Sequence, residues 1–145
     1  MLLLLAAAPS AAEEEDRPTE WRAGAYAFTD ELGGFTIDGV SGTGMRDDPF
    51  VIRETLMSSS PVTLVIRARR PIQALADPMR FASGVLYMRI EARNGSGQGW
   101  VEFEFELQET LHRASIFGDG LSFGQRDASR RNVTSDNFAE FSRDF

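Results

Sequence analysis

Cysteine and lysine are both absent from the 145 residues, and histidine occurs once. Without thiols the chain can form no disulfide, thiolate nucleophile, Cys-based zinc site or lipid-bearing N-terminal cysteine. His112 alone cannot supply the three or four ligands that zinc takes. All fifteen basic residues are arginine, set against twenty-two acidic ones, for a net charge of −7. That balance argues against nucleic acid or an anionic membrane as the main partner, since both demand a basic surface. No apolar run is long enough to cross a bilayer as a helix.

The most apolar stretch is the N-terminal Met-Leu-Leu-Leu-Leu-Ala-Ala-Ala-Pro-Ser-Ala-Ala. Residues 1–12 read as a signal peptide whose small residues Ser10 and Ala12 suit cleavage before Glu13, although no Lys or Arg precedes the apolar run. The expected location is therefore periplasmic or extracellular. Residues 13–33 read as an acidic leader with a first edge segment, and 34–145 as one domain. Such a domain is large enough to bury a core without covalent staples.

Strand signals recur about every ten residues, and helix signals are scarce. Gly34–Val40 and Pro49–Leu56 flank the turn Ser41-Gly42-Thr43-Gly44. Pro61–Arg69 holds the β-branched run Val62–Ile66, expected to be buried on both faces. Its end carries the basic cluster Arg67, Arg69 and Arg70, read as a solvated strand end. Pro71–Phe81, broken at Asp77-Pro78, is a short helix or an irregular crossover.

Residues 85–93 and 100–108 alternate strictly on either side of Asn94-Gly95-Ser96-Gly97-Gln98-Gly99, which predicts a β-hairpin. Leu86, Met88, Ile90 and Ala92, with Val101, Phe103, Phe105 and Leu107, would form its core face. Arg89, Glu91 and Arg93 would pair with Glu102, Glu104 and Glu106 on the wet face. Arg113–Phe117 and Gly120–Phe123 complete the strand candidates. Phe138, Phe141 and Phe145 lie at helical spacing behind Ser135-Asp136, and the aromatic ending points to a C-terminally truncated sandwich. The fold class predicted is all-β, an antiparallel sandwich of about seven strands in Ig-like style, with a small β-barrel as the alternative.

Two phrases carry a resemblance. Gly42-Thr43-Gly44-Met45-Arg46-Asp47-Asp48-Pro49-Phe50-Val51-Ile52 resembles a G-x-G-x-x-D-D-P-[FY]-x-I turn-and-strand phrase of secreted β-rich proteins. Asn94–Phe103, with the later Asp119-Gly120-Leu121-Ser122-Phe123, is similar to an N-x-[ST]-G-x-x-W-x-x-F phrase of uncharacterised Ig-like exported proteins of Gram-negative bacteria. The resemblance implies export and an all-β fold. It assigns no site.

Chemistry-bearing residues are few. Gly120-Leu121-Ser122-Phe123-Gly124 matches a nucleophile elbow, but His112 precedes the serine and the following residues make a poor elbow helix. Glu102, Glu104 and Glu106 recur roughly 6.6–6.8 Å apart on one strand face, a spacing that two glycosidase carboxylates could use. Trp100 on that face could stack on a sugar. Trp100, Glu102 and Glu104 are thus the candidate ligand-binding residues. Asp38, Asp47 and Asp48, or else Asp119 with Asp127, could ligate calcium, and the Asp47-Asp48 turn is the preferred alternative site. The function expected is an exported, non-catalytic binding or structural envelope module for a protein or carbohydrate ligand. The alternatives are a small glycoside-type hydrolase using the three glutamates and an apolar-ligand carrier suggested by eleven phenylalanines.

Overall fold

Along Phe50–Leu56 every second residue turns inward, and the inward series is Phe50, Ile52, Glu54 and Leu56, all buried. This strand, β4, is the centre of the best-built part of the chain. The computed structural model describes residues 20–74, 76–100, 103–116, 118–126, 132–135 and 138–141. Strands β1 (Trp21–Ala23), β2 (Tyr26–Thr29) and β5 (Val65–Ala68) form one antiparallel sheet in the order β1-β2-β5. Strands β3 (Phe35–Ser41), β4 and β6 (Met88–Asn94) form a second, in the order β3-β4-β6. Phe28 of β2 and Phe50 of β4 meet edge to face with centroids 5.0 Å apart, and Tyr26 meets Phe50 at 5.9 Å. Ile37 and Ile52 complete a fully buried centre. Two sheets packed through their apolar faces make a β-sandwich, each wholly buried large side chain contributing about 1.5–3 kcal/mol. Phe28, Phe35 and Phe50 fill the core of this part, and Phe81 is half-buried.

The chain divides into two compact units between Gly95 and Ser96, where the sequence predicts one domain over 34–145. The first includes β1 and β2, inside the segment expected to be an acidic leader with a first edge segment. β2 is the middle strand of its sheet and is buried at all four positions. It reads Tyr-Ala-Phe-Thr, too short and too evenly apolar to show a period. The second unit holds short antiparallel ladders: β7 (Phe103–Glu106) with β12 (Phe138–Phe141), β8 (Gln108–Thr110) with β9 (Arg113–Ala114), and β10 (Phe123–Arg126) with β11 (Asn132–Ser135).

The fold is thus all-β, and six of the seven strand pairings among the described residues are antiparallel. No sheet closes into a barrel there. The exception is β6, which lies parallel to β4 with Phe50 beside Met88 and Leu56 beside Asn94. This corrects the expected hairpin. β6 and β7 enter different sheets, because alternation specifies a strand and its facing but not its neighbour. The facing itself holds: Phe103 and Phe105 are half-buried while Glu104 and Glu106 are exposed. Arg89, however, pairs with Glu91 on its own strand, and Arg53 of β4 also pairs with Glu91.

Three local expectations also change. Val65 and Ile66 are half-buried, since β5 is an edge strand and not buried on both faces. Residues 71–74 and 76–82 run as an irregular crossover, tied by Ala82 N–H to the Pro71 carbonyl and by Gln73 N–H to the Ala82 carbonyl. Phe138–Phe141 is a strand despite its helical spacing, because pairing with β7 outweighs a weak local signal.

Candidate functional site

The Gly-Thr-Gly-Met-Arg-Asp-Asp-Pro-Phe phrase folds into a knot of backbone. The N–H groups of Thr43, Gly44 and Met45 all donate to the Asp48 carbonyl at 3.0–3.2 Å. Gly42 and Gly44 have φ of 87° and 81°, in the region that favours glycine. A Cβ on Gly42 would fall 2.0 Å from the Pro49 carbonyl oxygen. Tyr87 N–H donates to the Gly44 carbonyl and Phe50 N–H to the Tyr87 carbonyl, which aligns the start of β6 with the start of β4. The phrase is therefore explained by chain geometry. The Asp47 and Asp48 side chains are exposed, and no group of three metal-ligating side chains gathers among the described residues. Asp38 accepts a 2.6 Å hydrogen bond from Thr55 Oγ1. Asp119 uses both carboxylate oxygens on the N–H groups of Ile116 and Leu121, which hold it below the usual carboxylate range, the Leu121 bond most strongly. Asp127 lies outside the described residues.

Trp100 is not on the face of Glu104. Its ring packs on Phe103 at 5.6 Å, and Phe103 on Phe105 at 5.0 Å, so the tryptophan extends the apolar side of β7. Trp100 precedes β7, and outside a strand the two-residue alternation no longer dictates facing. The rings tilt by 55° and 50°, a herringbone and not a flat platform for a sugar. Glu102 lies outside the described residues. Ser122 is exposed and is followed by strand β10, so the turn cannot be a strand-to-helix elbow. His112 sits in the β8–β9 turn at φ 64°, its N–H donating to Gln108 Oε1.

Charged groups missed by the sequence reading are better defined. Arg67 makes a two-pronged ion pair with Glu31, one prong at 2.9 Å, and Thr29 Oγ1 donates to the same carboxylate at 2.9 Å. Arg67, then Thr29, hold the Glu31 carboxyl down at about 2. The basic cluster is thus engaged at Arg67 and at Arg70, which donates to the Pro78 carbonyl. Glu54 is 5 % exposed and occupies an inward position opposite Ile37 and beside Ala92. Burial first, and the Asp38 charge second, push its carboxyl up to about 7. The signal was legible in Phe-Val-Ile-Arg-Glu-Thr-Leu, where a glutamate stands at an apolar position of the alternation.

The surface that stands out is β6. Its inward residues Met88, Ile90 and Ala92 continue the apolar face of β4, yet Met88 is 40 % exposed and Ala92 is exposed as well. The sandwich closes over β3 and β4 and leaves its flank open at β6. Among the described residues β6 has β4 as its sole strand partner and is the edge strand of its sheet. Exposed Tyr87 and Val85 lead into it. Arg89, Glu91 and Arg93 line its other face. No helix among the described residues is long and apolar enough to cross a membrane. No family model, curated protein or solved structure matches this chain.

Proposed function

We propose that the chain is an exported, non-catalytic binding module that engages a protein partner along the open edge of β6. The observation that carries this reading is that β6 is the edge strand of its sheet among the described residues, with Met88 and Ala92 exposed and Ile90 half-buried at its inward positions. Backbone groups on such an edge give affinity to an added strand, and alternate side chains give selectivity. Those inward positions ask for apolar residues at every second position of the partner. The outer row, with Arg53, Arg89 and Arg93 against one Glu91, asks for acidic residues between them. Export is supported by the apolar residues 1–12 with small residues before Glu13.

The test is calorimetric titration of the full chain with an extended peptide of alternating valine and glutamate. Saturable binding that weakens at least tenfold on Arg93→Glu, and is unchanged by Ser122→Ala or His112→Ala, is expected. No binding at any peptide concentration would overturn the reading.

A further inference from the structure

Glu54 is the one charged side chain buried among the described residues. It stands between Ile52 and Leu56 in the inward series of β4, with Ile37 opposite it on β3 and Ala92 beside it on β6. The two flanks differ. Ile37 is sealed from water, whereas Ala92 is exposed and carries only a methyl group. Neighbouring strands lie roughly 4.8 Å apart, within the reach of a glutamate side chain, so water is one strand away on the β6 side. The cations on the surrounding strands are engaged elsewhere or face away. Arg53 and Arg89 bind Glu91, and Arg93 is in register with Thr55 on the outer face. In the other sheet Arg22 binds Glu20, Arg67 binds Glu31, and the Tyr26 hydroxyl accepts from Gly84 N–H. The charge that acts on Glu54 is that of Asp38, at the bulge of β3 where the register shifts between Ile37 and Gly39. Apolar surroundings first, and that like charge second, both expel an ionised carboxylate.

We propose that Glu54 is a proton-operated latch: with its proton it stays inward beside Ile37, and without it the carboxylate swings past Ala92 into water while the sandwich stays folded. The step is the loss of one proton to solvent and the rotation of one side chain between staggered rotamers, and no strand pairing breaks. The swing brings a negative charge onto the row of Met88, Ile90 and Ala92. A partner that is apolar and acidic is then held while Glu54 is protonated and released as it ionises near pH 7. This effect on a partner rests on the reading of β6 as a docking strand; the latch does not.

NMR of the full chain, followed through pH 7, tests the latch. The Glu54 carboxyl carbon, the three-bond couplings that report its χ1 rotamer and the Ala92 methyl signal should change together with one midpoint. The amides of β1, β2 and β5 should keep their positions. In Glu54→Gln the Ala92 signal should not move over the same range. A carboxyl that ionises with its rotamer and Ala92 unmoved overturns the latch, as does a midpoint in the ordinary carboxylate range. Loss of all native signals together also overturns it, since the carboxylate then reaches water only by unfolding. The valine–glutamate peptide tests the effect on a partner: it should bind about tenfold more weakly well above pH 7 than well below it, and Glu54→Gln should abolish that difference. Equal binding on both sides of pH 7 overturns control of the partner by Glu54. No binding on either side overturns the reading of β6, and the NMR signals then decide the latch alone.

Discussion

Gly44 lies against the ring of Phe50 so closely that a Cβ added to it would stand 2.3 Å from ring atom Cε2. Gly44 also has φ of 81°. Gly44→Ala must therefore strain the backbone and push aside a wholly buried ring that touches both Tyr26 and Phe28. A loss of about 2–4 kcal/mol in denaturant unfolding is expected. Gly99→Ala, where nothing lies within 4 Å of the added atom, should change stability by under about 0.5 kcal/mol.

The two aromatic sets should differ in what they hold. Phe50 is wholly buried between two sheets, so Phe50→Ala should cost about 3–5 kcal/mol. Phe103 is half-buried and packs on Trp100 and Phe105, so Phe103→Ala should cost about 1–2 kcal/mol. Thermal and denaturant melts of the two variants check the ranking; equal costs would place Phe103 in a core as deep as that of Phe50.

Glu54 predicts an unusual pH profile. Its folded carboxyl titrates at about 7 against 4.5 when unfolded, so the folded state holds the proton more tightly. The stabilisation is complete below pH 4.5 and is lost as pH rises through 7, a fall on the order of 3 kcal/mol from this group. Glu54→Gln should remove that slope and be the more stable protein above pH 7. Parallel slopes for both proteins over this window would show that Glu54 ionises normally.

Glu31 behaves in the opposite sense. Its carboxyl is held at about 2 by Arg67 and Thr29, so its contribution is present above pH 4.5 and fades as pH falls through 2. Arg67→Gln should return the Glu31 titration, followed by carboxyl NMR shifts, to the ordinary carboxylate range. A Glu31 midpoint unmoved by that change would mean that Thr29 or the backbone holds it.

What was legible in the sequence was facing. Phe103 and Phe105 against Glu104 and Glu106 alternate in burial as the residues say, and the register with β4 sets Met88 and Ile90 on the apolar side although Met88 is exposed. Partnership was not legible, because a strand of this pattern satisfies its side chains equally beside β4 in parallel or in a hairpin. The parallel choice depends on the Gly44–Tyr87–Phe50 backbone bonds, made between residues far apart in the chain. β2 was missed because four residues buried on every side have no pattern to show. Trp100 was misplaced because alternation was carried past the end of its strand. Glu54 was the reverse case: the signal stood in the alternation of β4, and reading charged residues as surface hid it.

The account turns on β6 being an edge held on one side only, and hydrogen exchange of its individual amides in dilute protein tests this most directly. In a parallel pair alternate residues direct their N–H groups to the neighbour, and the residues between direct theirs outward. Protection along Met88–Asn94 should therefore alternate, slow at every second amide and close to unprotected at the others. Slow exchange at every amide of β6 in the monomeric chain would show a strand already paired on both sides, and would contradict the open edge.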